Sequence, residues 1–284
     1  MSTYARGYSR ISNYFIQLLG YRFFQYALIG GSISALSCAL VGLFVILRKE
    51  SMIGDGVAHV SFGGIAIGLY FGIEPIITAL IVSIFAVLGI SYMRRKGLAS
   101  SDSATAVILA IGFSTGLIII SLAGGFNVEL FSYLFGSILT INRGDLLLVG
   151  TLGVSVLVLV GVFYKELLSI TFDEQASRLM GIPVGPISTV FNILVAVTIV
   201  LSIKVVGMIL VTALLVLPGL SALQLDLSFK RTSVISVIFG VGSVIVGIFA
   251  FAVFDVATSG VIVFTLVACF ALVSAVKSDF LSSS

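Results

Sequence analysis

Long apolar blocks separated by short charged or turn-rich breaks run through almost the whole chain. Nine can be read, at residues 26–47, 53–71, 75–93, 104–123, 146–164, 187–204, 206–223, 233–254 and 261–276. Each is close to the roughly twenty residues a helix needs to cross a hydrocarbon core about 30 Å thick. Lipid offers no partner to a backbone N–H or C=O, so each block is predicted to be a helix that satisfies its own backbone. A tenth stretch, 127–141, is apolar but short and carries Glu129 with Arg143 just beyond it; it predicts a short or re-entrant helix. The expected fold is an all-α, polytopic transmembrane helix bundle of about eight or nine spanning helices. Residues 1–23, which mix aromatic, polar and basic side chains, are expected to lie along the interface. Residues 24–277 form the transmembrane domain, and 278–284 a tail.

Composition agrees with this pattern. Of the 284 residues, 59% are hydrophobic and 10% charged, against about 25% charged in soluble domains. Net charge is +3, and the basic residues stand in small groups between apolar blocks, which orients a membrane protein and gives no nucleic-acid surface. Alternating nine spans puts Arg48, Lys49, Arg94–Lys96, Lys165, Arg178, Lys230, Arg231 and Lys277 on one face, expected to be cytoplasmic. Lys204, Arg143 and the N-terminal arginines fall on the other. Cys38 and Cys269 both sit in apolar stretches, where a free thiol packs as a small hydrophobe. Glycines recur inside the spans, as small residues do where membrane helices approach closely.

Candidate chemistry is sparse. His59 is the only histidine, and Asp55 precedes it by four residues, so on a helix the two side chains share a face. Carboxylate plus imidazole makes half a site for a divalent transition metal; an Asp–His bond pinning two helices is the other reading. The polar break 165–183, KELLSITFDEQASRLMGIP, predicts a short amphipathic helix with Phe172, Ala176, Leu179 and Met180 on one side and Asp173, Glu174 and Arg178 on the other, closed by Gly181. Such a helix suits docking on a partner, and a solvated loop remains open as the alternative. Glu74, Asp145 and Asp255, at segment ends, are expected to be solvated. Pro218 should kink its helix and free backbone carbonyls that could line a path. The chain has no G-x-x-x-x-G-K-[ST] phosphate loop, so ATP hydrolysis is expected elsewhere.

Several runs resemble the permease subunits of the zinc/manganese/iron ABC importers. VILRKESMIGDGVAHVSFGGIAIGLYFG is similar to their Gly-Asp-x-x-x-His signature with its glycine-rich helix. SDSATAVILAIGFSTGLIII, VELFSYLFGSIL, SITFDEQASRLMGIP and VVGMILVTALLVLPGLSA follow in the family's order. The resemblance implies a type II importer-like permease in the cell membrane, paired as a dimer with a second copy. It also implies a separate cytoplasmic ATPase that uses the ATP, and an extracellular or periplasmic metal-binding protein. It places the metal path at Asp55 and His59 and the ATPase contact at Phe172, Asp173, Glu174, Gln175, Ala176, Leu179, Met180 and Gly181. Pro218 falls in its proline-kinked helix. No permanently bound cofactor is implied; the metal is cargo. Gly56, Phe62-Gly63 and the proline-free DVATSGVIV depart from the usual pattern, while the Tyr-Leu-Phe-Gly segment and the missing proline resemble zinc-type members and put zinc ahead of manganese. An ATP-independent metal channel or secondary transporter would also place Asp and His in a span, without a coupling helix. A membrane enzyme would have to work with one histidine and no clustered nucleophile.

Overall fold

Every apolar block becomes a helix in a computed structural model of the chain, which describes residues 20–125, 128–136, 141–254 and 256–282. The helices are α1 (Arg22–Leu47), α2 (Met52–Phe71), α3 (Pro75–Arg95), α4 (Ser101–Leu122), α5 (Val128–Phe135), α6 (Arg143–Val162), α7 (Tyr164–Phe172), α8 (Glu174–Leu179), α9 (Val184–Val206), α10 (Met208–Leu223), α11 (Phe229–Phe254) and α12 (Thr258–Ser282). The described residues contain no strand. Among the described residues, eight helices are long and apolar enough to cross a membrane; α10, with 16 residues, is shorter. The eight residues of α5 rise about 12 Å at 1.5 Å per residue, far short of a span. The expected interfacial segment lies almost wholly outside the described residues. The expected tail does not separate from the last span, since α12 continues to Ser282.

Local chemistry sets the helix ends. Pro75 opens α3 at its first turn, where its missing N–H costs nothing. Asn142 and Asp145 form a capping box at the start of α6, each side chain bonded to the other's backbone N–H. Gly207 separates α9 from α10 at φ +87°, and Gly136, at φ +76°, packs backbone to backbone against it. A side chain at either position would collide with the other segment.

Ion pairs sort the helix ends into two sides. On one, Lys204 in the last turn of α9 lies 2.7 Å from Asp145 and 3.8 Å from Glu74. On the other, Glu50, between α1 and α2, pairs with Arg94 at the end of α3, and Lys277 of α12 lies 2.5 Å from Asp226 after α10. This division matches the charge alternation read from the sequence.

Helices α1, α2 and α9 form the buried centre, while α4, α11 and α12 present mostly outward-facing apolar surface. Small residues let the central helices touch. Gly42 of α1 meets the backbone of Leu215 in α10, and Gly63 of α2 meets Gly112 in α4. Buried polar side chains tie the same helices: Ser61 to Ser83 at 2.9 Å between α2 and α3, and Asn192 to Ser91 at 3.0 Å between α9 and α3. Cys38 is fully buried, with its Sγ 3.5 Å from Ser202 Oγ, and neither cysteine is in a disulfide.

Candidate functional site

Helix α2 begins just after the Arg48–Glu50 turn and carries both predicted metal-facing residues in its first two turns. Asp55 is exposed on the surface of the single chain and His59 is half-buried one turn further along. The His59 ring stands edge-on to Phe113 of α4, with centroids 5.1 Å apart and planes at 80°. Its Nδ1 is buried without a hydrogen-bond partner, so the second helix that an Asp–His tie would need supplies only an aromatic edge. The described residues gather no group of three or more His, Cys, Asp or Glu side chains able to hold a metal. One chain thus offers an exposed carboxylate and a half-buried imidazole one helical turn apart.

The glycines around this pair have a packing reason. A Cβ on Gly56 would run into the Thr105 methyl of α4, and one on Gly54 would meet the Leu215 side chain. These residues let α2 sit between α4 and α10 while Asp55 stays on the open face. Two of the positions where the sequence departs from the family pattern, Gly56 and Gly63, are therefore contact points with α4.

The segment expected to form one amphipathic helix is two. Asp173 is extended (φ −151°, ψ 102°), ends α7 and caps α8, accepting a 2.9 Å bond from the Ala176 N–H. Phe172 therefore belongs to the preceding helix, and Ala176 is half-buried, so the predicted apolar face is not a continuous helical stripe. The Asp173 capping bond competes successfully with helix continuation. Phe172, Leu179 and Met180 are nevertheless strongly exposed, Leu179 at 90%. Glu174 and Gln175 are exposed as well, and Gly181 closes the segment at φ +81°. Ser177 is fully buried and bonded at 2.7 Å to Ser169 of α7, which anchors α8 on α7. The result is a short, anchored knob with an apolar tip. Pro218 lies inside α10, buried, with Gly240 of α11 beside its ring.

Two charged clusters escaped the sequence reading. Glu50, 3% exposed, pairs with Arg94, and its Oε2 is 3.9 Å from Arg48 Nε, beyond hydrogen bonding. Arg48 donates at 2.7 Å to Ser188 of α9 and stacks 5.0 Å from the Phe191 ring centroid. Burial, then the neighbouring Arg94 charge, lower the Arg48 pKa to about 10, partly offset by Glu174; the group stays charged at neutral pH. On the opposite side Asp145, expected to be solvated, is 6% exposed because it serves both the capping box and Lys204. Both clusters join residues distant in sequence, which no local pattern signals.

Comparison with known proteins places this architecture. Residues 20–277 match the ABC 3 transport family. The "Manganese transport system membrane protein MntC" of Halalkalibacterium halodurans is 32% identical over 264 residues, covering 93% of this chain and 90% of that protein. The "Manganese import system permease protein ScaB" of Streptococcus gordonii is 32% identical over 252 residues, 88% of this chain and 90% of that protein. Among solved structures, PsaBC from Streptococcus pneumoniae in complex with Fab superposes with a TM-score of 0.82 at 30% identity, covering 93% of this chain and 95% of that one. The match runs through α2 and its Asp55–His59 pair, the α7–α8 knob and the last span alike, and the chain belongs to the ABC 3 transport family as a multi-pass permease component of the cell membrane.

Proposed function

We propose that the chain is the membrane-spanning permease of an ATP-driven importer for a divalent transition-metal ion. The single observation that carries this reading is the Asp55–His59 face of α2: a carboxylate and an imidazole one turn apart, with Nδ1 of the imidazole unpartnered. Carboxylate oxygen suits manganese and imidazole nitrogen suits zinc, so the pair accepts either. The zinc preference drawn from the sequence rests on the Tyr-Leu-Phe-Gly segment and a missing proline, neither of which belongs to the Asp55–His59 pair. The manganese systems among the relatives put manganese first.

In this reading ATP is hydrolysed by a separate cytoplasmic subunit, onto which the exposed Phe172, Leu179 and Met180 dock, flanked by Asp173, Glu174, Gln175, Ala176 and Gly181. Two copies of the permease face each other across the pathway, and an outer metal-binding protein delivers the ion. Pro218, which cannot bond the Leu214 carbonyl one turn back, leaves that carbonyl available to the path. Drawing the two coupling knobs together would switch which side of the dimer is open.

The test is metal uptake into liposomes holding the permease, its ATPase and its binding protein. Uptake of manganese should require ATP and fall at least tenfold in both Asp55→Ala and His59→Ala, with the ATPase still bound. Normal uptake in both variants would remove these residues from the path. Uptake that needs no ATP would replace the importer with a channel or secondary transporter.

A further inference from the structure

Beneath the coupling knob, on the side of the arginine cluster, lies a cavity of about 540 Å³ bounded by the end of α3, by α8 and by the first turns of α9. That is far more than the roughly 30 Å³ share of one water. Its charged lining is Arg94, Arg95, Arg178 and Glu174. Glu174 is already engaged, 2.7 Å from Arg178, and Arg94 is engaged by Glu50. Arg95 has no partner among the described residues. Behind the wall, Arg48 adds a fourth guanidinium through its bond to Ser188, and its Nη1 is buried without a partner. Positive charge is therefore in excess around the cavity.

The remaining wall is built to bond an anion. Val184 and Gly185 open α9 into the cavity, and Pro183 before them supplies no side-chain cap, so the positive end of a 23-residue helix faces the space unneutralised. Ser188 accepts from Arg48, which leaves its own O–H to donate. Asn192 is 3% exposed; its Nδ2 donates to Ser91 at 3.0 Å while its Oδ1 is buried with no partner. Turning that amide over would keep the Ser91 bond, with the hydroxyl as donor, and would free Nδ2–H for a ligand.

We propose that this cavity binds a phosphate-bearing anion, held between Arg94 and Arg95 of α3, Arg178 of α8 and the start of α9. Arginine forks match phosphate oxygens two at a time. The cavity lies at the level of the cytoplasmic helix ends, where both lipid headgroups and soluble phosphate reach it. An anion seated there ties the coupling knob to α3 and α9, so that movement of the knob is passed to two central helices.

The full-length chain in nanodiscs tests this, with Arg95→Gln/Arg178→Gln and the single Arg95→Gln compared with Lys96→Gln, which matches the single variant's loss of charge outside the cavity lining. In one arm, nanodiscs mix phosphatidylglycerol with phosphatidylcholine, and native mass spectrometry counts the lipids kept by the chain. In the other, only phosphatidylcholine is present, and inorganic phosphate is titrated at constant ionic strength while thermal unfolding is followed. A lipid headgroup as ligand predicts retained phosphatidylglycerol that falls at least tenfold in the double variant and stays in Lys96→Gln. A soluble ligand predicts that phosphate raises the melting temperature by several degrees in the wild type and not in the double variant. Should the double variant fail to fold, Arg95→Gln alone carries both arms, since no partner is lost. No difference between wild type and variants in either arm overturns the proposal. In a parallel co-purification, loss of the ATPase from the double variant with both arms unchanged also overturns it, because the arginines would then contact the ATPase directly.

Discussion

At the scale of single residues, backbone approach holds this bundle together more than its hydrogen bonds do. Gly112 meets the Cα and side chain of Val60, and Gly63 meets the carbonyl of Gly112, so a side chain there must push α2 and α4 apart. Ser61 and Ser83, by contrast, share one buried bond, and such bonds average about 0.6 kcal/mol between membrane helices. Overpacking a tight contact costs about 1–3 kcal/mol. Gly112→Leu should therefore lower the melting temperature of the detergent-solubilised chain clearly more than Ser83→Ala, as followed by size-exclusion profiles after heating; the reverse order would refute the packing argument. The same scale shows what sequence could reveal. That Asp55 and His59 share one helix a turn apart is legible, because it follows from local sequence spacing alone. The burial of Glu50 and Asp145 was not, because it depends on Arg94 and Lys204, which only the folded chain brings beside them.

At the scale of elements, hydrophobic blocks of spanning length announce their helices, and the structure returns all nine. The short elements were harder because their ends are decided by one or two bonds. The Asp173 capping bond divides the expected coupling helix, moving Phe172 onto α7 while leaving Leu179 at the tip of α8. These two positions should respond differently to substitution. Asp173→Ala removes a cap worth about 1 kcal/mol and should loosen α8 locally, seen as faster hydrogen exchange in residues 174–179. Leu179→Asp touches little of the chain itself, being 90% exposed. It should leave exchange unchanged yet cut co-purification of the ATPase at least tenfold, since it puts a charge into an apolar docking contact. Equal ATPase retention in the wild type and Leu179→Asp would mean that the knob docks by another face.

On the scale of the whole molecule, the metal path proposed at Asp55 and His59 rests on a surface that one chain leaves incomplete. Two donors from α2 stand on an open face, and no third His, Cys, Asp or Glu joins them among the described residues; transition metals ordinarily take four or more ligands. A second copy related by a two-fold axis would bring the same pair to the opposite wall, because a symmetric interface apposes one patch with itself. The alternative is a separate path through each copy, with waters completing the coordination. A covalently joined dimer distinguishes the two. Two copies linked in one polypeptide, with His59→Ala in only one, should lose most of their ATP-dependent manganese uptake if the pairs act as one shared site, since each ion meets both walls. If each copy carries its own path, uptake should settle near half of the wild-type linked dimer, with the full loss appearing only when both copies are changed. Retention of half the activity would therefore move the pathway inside the single bundle, between α2, α4 and α10, where Gly54 and Gly56 now hold those helices in contact.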